Sequence, residues 1–283
     1  MADKAASVLA RLKNKSIESG RSYQLCLQLF CQEEFLRRLE KSNYVDNFVL
    51  KGGLFIYTLT EFESRVTMDI DLLLQKLPNT PEELEPIILD IISTDTGNDF
   101  VEFDLKGIQP ISIAKKYAGI SASLAAMIKN TRTPIKIDFG VGDVIVPSKE
   151  KRSIPTQLDD FEKPVINTYS LETTIAEKID AILDLMEFSS RMKDYYDLFY
   201  LLTHFEFDND TLAEAMKKTF ENRNHHFTME QYEQVLSFGD NDAMNKKWLA
   251  FIKKTKLQFI EYWVVIKTID SEIGDTITLV LKG

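Results

Sequence analysis

Residues 68–74 read MDIDLLL, placing two carboxylates inside an otherwise apolar run. Strand side chains alternate between faces, so Asp69 and Asp71 share one face while Ile70, Leu72 and Leu74 share the other. The apolar face must be covered, which predicts a sheet strand backed by helices. Two like charges side by side on the opposite face are costly unless something positive lies between them. A hard divalent cation would serve, because Mg²⁺ is held by a couple of carboxylates together with substrate phosphates. Residues 134–139, PIKIDF, repeat the pattern: Ile135, Ile137 and Phe139 form a buried face, and Lys136 and Asp138 the other. A strand beside the first would bring Asp138 to the same place. Three acids on adjacent strands suit a two-metal clamp, in which one ion activates an attacking oxygen and the other holds a triphosphate.

Upstream, Gly52 and Gly53 stand between a strand-like and a helix-like segment. Glycines there let backbone approach a phosphate, whose charge suits the amides at a helix start. Taken alone, the pair also fits a tight turn. Arg65, four residues before Asp69, could reach a phosphate or be an ordinary exposed loop arginine.

With 283 residues and 44% hydrophobic content, the chain can pack one large domain or two ordinary ones. Its two cysteines, Cys26 and Cys31, lie five apart without a histidine pair, which argues against a disulfide framework or a zinc site. Buried thiols in a reducing compartment are expected. No apolar run is long enough to cross a bilayer and the N-terminus is broken by lysines and arginine, so a cytoplasmic protein with no membrane partner is expected. The net charge of -10 repels polyanions, so a nucleic acid would need a local basic patch. Lys246, Lys247, Lys253, Lys254 and Lys256 make one candidate, and Lys115, Lys116, Lys129, Arg132 and Lys136 another. Each alone also fits a solvated face.

The pattern along the chain is α+β: a mixed sheet flanked by helices over residues 1–165, then a helical domain over 166–283. Helices are expected near 5–17, 22–41, from 53 onward and from 81 to 93, where Thr80, Pro81 and Glu83 form a capping signal. Strands are expected at 47–50, 68–74, 100–105, 118–128 and 134–139, with a loop over 142–160. Further helices are expected at 171–187, 191–203, 211–222, 229–237 and 243–262, and the tail GDTITLVLKG alternates like an edge strand.

In the helix from 171, the inward stripe Leu171, Ile175, Lys178, Ile182, Leu185 contains a lysine where an apolar residue belongs. A half-buried ammonium is expensive, and it would be tolerated against a triphosphate between domains or an acidic side chain; a snorkelling lysine at the stripe's edge is the plain alternative. Asp194 lies near the apolar boundary of the next helix, where it could pair with Lys178, orient it, act as a base, or make only a structural salt bridge. His225 and His226 are adjacent, so their side chains diverge and they are poor co-ligands.

Taken in order, LKGG (50–53), RVTMDID (65–71), IKIDF (135–139), LETTIAEKIDA (171–181) and RMKDYYDLFYLL (191–202) resemble the AbiEii family of nucleotidyltransferase toxins, relatives of the polymerase β-like nucleotidyltransferases. The likeness spans residues 48–203. It implies a nucleotidyltransferase fold and Mg²⁺-dependent transfer of a nucleotide from an NTP. Asp69, Asp71 and Asp138 would be the metal carboxylates, Gly52 and Gly53 would lie along the triphosphate, Lys178 would meet nucleotide phosphates, and Asp194 would be a further essential acid. Arg65 joins the nucleotide-binding set. Leu54 departs from the pattern, since a small hydroxyl residue is common there. The resemblance also implies a toxin–antitoxin or abortive-infection context, a cognate antitoxin, and an RNA acceptor such as a tRNA 3′ end. Transfer to a small molecule, or an inactive fold that binds nucleotide or protein, are the alternatives.

Overall fold

Alternating apolar positions collect into one seven-stranded mixed sheet in the computed structural model, which describes residues 3–111, 119–188 and 191–282. The strands are β1 (Phe48–Lys51), β2 (Asp69–Leu74), β3 (Val101–Pro110), β4 (Ile120–Ile128), β5 (Thr131–Val141), β6 (Glu150–Ser153) and β7 (Val165–Thr168). Their order is β3-β4-β5-β2-β1-β7-β6. The carboxylate-bearing strand is therefore central, antiparallel to β1 and parallel to β5. Ile70, Leu72 and Leu74 are buried, as are Ile135, Ile137 and Phe139 on β5. Each such side chain contributes roughly 1.5–3 kcal/mol of hydrophobic stabilisation.

Helices α1 (Lys4–Ser19), α2 (Tyr23–Lys41), α3 (Gly52–Leu59) and α4 (Pro81–Ser93) belong to the same unit. The long α2 is buried along nearly all its length, and even its polar residues are enclosed. Glu34 among them takes hydrogen bonds from Arg37 at 2.9 Å, Arg38 at 3.3 Å and Asn98 at 2.8 Å. Gln28 and Gln32 donate to the Met68 carbonyl at 3.1 and 2.8 Å, fixing the backbone just ahead of Asp69. At the start of α4, Pro81 occupies the first turn and the Thr80 hydroxyl accepts from the Glu83 amide. Cys26 and Cys31 are free and buried, and burial pushes the Cys31 thiol up to about 12, which leaves it unreactive.

The contacts divide the chain into two compact units. The sheet unit comprises Met1–Phe62, Val66–Gly142 and Glu150–Thr168; the second comprises Glu63–Arg65, Asp143–Lys149 and Tyr169–Gly283. Two short excursions of the sheet-unit sequence thus pack with the helices. Strand β6 lies inside the loop expected over 142–160 and β7 just beyond it; four residues each are too few to establish alternation.

The second unit holds α5 (Leu171–Leu185), α6 (Met192–His204), α7 (Asn209–Arg223), α8 (Met229–Ser237), α9 (Asp242–Thr255) and α10 (Tyr262–Lys282). Thr228 and Gln231 form the reciprocal capping box at α8 that their spacing predicts. Two expectations are corrected. The helix expected over 243–262 stops at Lys256, which adopts a left-handed φ of 55° and turns the chain. The tail is not an edge strand but the end of α10. Its alternation is an accident of a short window: from Tyr262 onward, Val265, Ile266, Ile269, Ile273 and Ile277 recur at helical spacing and are buried. Ile266, Ile269 and Ile277 line a small apolar cavity with Ile179, Ile182 and Leu183 of α5. Among the described residues no helix is long and apolar enough to cross a membrane.

Candidate functional site

The parallel pairing of β2 with β5 sets Asp69 opposite Lys136, Ile70 opposite Ile137 and Asp71 opposite Asp138. The three acids singled out in the sequence therefore occupy one face of two neighbouring strands. The Lys136 ammonium donates to Asp138 Oδ2 at 2.6 Å and lies 4.0 Å from Asp69 Oδ2. Its hydrogen bond to Asp138, opposed by burial and reinforced by the charges of Asp138, Asp69 and Asp71, holds its pKa above the ordinary lysine value. Positive charge on this face is thus supplied by a half-exposed lysine.

Gly52 closes the site on another side. It opens α3 with φ at +67°, and a Cβ built on it would lie 2.3 Å from Asp71 Oδ2 and 2.7 Å from Asp71 Cγ. Both the backbone conformation and the Asp71 carboxylate therefore demand glycine. Asp71 also pairs with Lys51 across β1 and β2, so the same carboxylate sits where strand gives way to helix.

The donor set can be tested for fit to a hard cation. Among the described residues no three His, Cys, Asp or Glu side chains are gathered into a ready-made metal cage. Magnesium seldom uses such a cage: it takes one or two carboxylates and completes its shell with water and phosphate. Three observations accord with that. The donors are carboxylates; Asp138 Oδ1 is buried without a hydrogen-bond partner among the described residues; and the Gly52 backbone leaves a recess against Asp71 that any side chain would fill. The residues fit the ion.

The remaining candidates meet in the helical unit. Lys178 on α5 is only 8% exposed and donates to Asp197 Oδ2 at 2.6 Å and Asp194 Oδ1 at 3.2 Å, both on α6. Of the environments open to it, the structure supplies acidic side chains. Arg65 grips Asp197 with two bonds, 2.6 Å to Oδ1 and 2.7 Å to Oδ2, and Arg191 lies 2.7 Å from Asp194. Burial alone would push the Asp194 carboxyl up, but Lys178, Arg191 and Lys193 outweigh it and hold the group below its ordinary value. Asp194 is thereby kept ionised and Lys178 oriented. Asp197, buried and shared by Lys178 and Arg65, is the member that sequence reasoning left outside the candidate set. Its signal was present: it lies three residues after Asp194, on the face that meets Lys178.

This combination has named relatives. Among curated proteins no sequence matches this one. Two crystal structures from Helicobacter pylori are similar: JHP933, with 18% identity and a TM-score of 0.48 over 89% of this chain and 91% of the other, and a protein assigned as a nucleotidyltransferase, with 18% identity and a TM-score of 0.46 over 89% and 95%. Likenesses of that degree carry no weight for function. The family of nucleotidyl transferase AbiEii toxins of type IV toxin–antitoxin systems matches residues 34–264, well over half of the chain and all of the candidate site residues. With sheet acids, glycine recess and lysine–aspartate cluster lying inside that match, the chain belongs to the AbiEii nucleotidyl transferase toxin family.

Proposed function

We propose that this nucleotidyltransferase moves a nucleoside monophosphate from an NTP to the 3′ end of an RNA, a tRNA foremost, in a Mg²⁺-dependent reaction in the cytoplasm. The pairing of Asp71 with Asp138 across β2 and β5, with Gly52 packed on Asp71, carries the proposal. Asp69, Asp71 and Asp138 hold the metal, which when bound supplies Lewis-acid activation of the acceptor oxygen and neutralises triphosphate charge. Gly52 and Gly53 lie along the triphosphate, where the helix start favours anions. Arg65, already fixed by Asp197, adds positive charge to the nucleotide site. Lys178 meets the nucleotide phosphates, and Asp194 aims its ammonium. The acceptor hydroxyl oxygen bonds to the α-phosphorus as the bond to the β-phosphate breaks. Pyrophosphate leaves with the electron pair. The hydroxyl proton passes to a carboxylate of the site.

As a type IV toxin the protein has a cognate antitoxin. Incubation with Mg²⁺, each NTP labelled at the α-phosphate, and total RNA should label a discrete RNA band that Asp69→Ala and Lys178→Ala abolish. Absence of label in RNA with every NTP would refute the reading. The net charge of -10 favours a second acceptor class, small molecules, so metabolite and antibiotic acceptors belong in the same assay. Nucleotide binding without turnover on any acceptor would mark an inactive binding fold.

A further inference from the structure

Acidic residues outnumber basic ones 44 to 34 in this chain, yet from Lys246 to Lys256 it runs KKWLAFIKKTK, with five lysines and no acid. Helix α9 sorts this run into two faces. Trp248 and Ile252 are buried. Lys246, Leu249, Ala250, Lys253 and Lys254 are exposed together with the following Lys256. Lys247 turns aside to the Glu187 carbonyl at 2.6 Å and is not part of the exposed face. Among the described residues none of Lys246, Lys253, Lys254 and Lys256 makes an ion pair. The other basic cluster noted in the sequence behaves differently: Lys129 is paired with Asp3 and Lys136 with Asp138, while Lys115 and Lys116 lie outside the described residues. The sign reversal on α9 is thus uncompensated, and it is accompanied by apolar exposure. Leu249 is 51% exposed, and beyond the turn Phe259 and Trp263 are 52% and 51% exposed. Asp242 and Glu261 are the nearest acids along the chain, one on each side of the run.

Helix α9 packs on α6. Phe251 of α9 meets Tyr196 of α6 with ring centroids 6.1 Å apart, and Tyr196 lies between Asp194 and Asp197 in the chain. Lys246 and Lys253 are two helical turns apart, about 10 Å along the axis. We infer that the exposed face of α9, with Lys246, Lys253 and Lys254 and the following Lys256, binds the backbone of an RNA acceptor away from its reacting end. The inference rests on the RNA reading above. Charge complementarity selects a polyanion. A tethering surface also resolves how a chain of net charge -10 can use a nucleic acid: attraction is local.

The test replaces Lys246, Lys253, Lys254 and Lys256 together by glutamine and measures transfer to a long RNA and to a trinucleotide over a salt series. A parallel quadruple arginine variant retains charge. For long RNA the glutamine variant should raise KM at least about tenfold and flatten the dependence of log KM on log salt by about 3, near 0.7 per lost phosphate contact. The arginine variant should keep wild-type values, and transfer to the trinucleotide should be unchanged in both. If the wild-type protein labels RNA but the glutamine variant keeps its KM and salt slope, the surface assignment is wrong and the RNA reading stands. If the wild-type protein labels no RNA, both fall. Loss of antitoxin capture with RNA transfer unchanged would assign the face to a protein partner and overturn the inference.

Discussion

Replacing Gly52 by alanine separates the cost of folding from the cost to the site. Its φ of +67° disfavours any L side chain, by about 1–2 kcal/mol. The same strain applies at Gly20, where φ is +69° and an added Cβ would meet nothing within 4 Å. At Gly52 the added Cβ would lie 2.3 Å from Asp71 Oδ2, whereas ordinary contact begins near 3.4 Å. The Asp71 carboxylate must therefore retreat by about 1 Å. A displacement of that size in a reacting constellation costs about 10²-fold in rate. Gly20→Ala should thus lose a few degrees of melting temperature and Gly52→Ala at least as much, since its Cβ would also meet Asp71 Cβ at 2.8 Å, while only Gly52→Ala loses about 10²-fold in single-turnover transfer from a labelled NTP. Wild-type transfer by Gly52→Ala, or an equal loss in Gly20→Ala, would refute the reasoning.

Lys178→Met leaves the buried Asp194 and Asp197 with one cation fewer and should destabilise the protein by about 3–5 kcal/mol in urea unfolding; adding Asp197→Asn should recover part of that, and simple additivity would contradict the cluster. Asp138→Asn should lower transfer by at least about 10²-fold while shifting stability by less than about 1 kcal/mol, because its lysine partner is half exposed; a large stability loss would make Asp138 structural. Burial pushes the Glu33 carboxyl up to about 8, against the opposing pull of Arg37. The folded protein then binds more protons than the unfolded chain between about pH 4.5 and 8, so this group's contribution weakens as pH rises through that window. Glu33→Gln should flatten the fall in melting temperature from pH 5 to pH 8, and an unchanged slope would exclude this origin.

Much of this site could be read in advance because it lies on regular elements. Period-two alternation around Asp69, Asp71 and Asp138 fixes which face each acid takes, and a parallel neighbour of matching register then sets Asp71 beside Asp138. A 3.6-residue stripe likewise marked Lys178 as enclosed before its partners were visible. What stayed hidden depends on contacts between distant segments. Arg65 is 132 residues from Asp197, and no local pattern announces their two hydrogen bonds. The Gly52 recess depends on a strand that follows much later, so the glycine pair alone spoke only of a turn. Residues 274–283 misled because their β-branched alternation, read without Tyr262 and Val265, hides the helical period of α10. Local propensity lost there to packing against α6 and α7.

The central claim is that the acids of β2 and β5 bind a divalent cation together with a nucleoside triphosphate. Electron paramagnetic resonance titration of Mn²⁺ into the full chain, with a non-hydrolysable NTP analogue present, measures this directly. The wild-type protein should bind the ion, and Asp71→Asn and Asp138→Asn should each weaken binding by at least about tenfold without unfolding. Equal Mn²⁺ affinity in the wild-type and both variants would contradict the account.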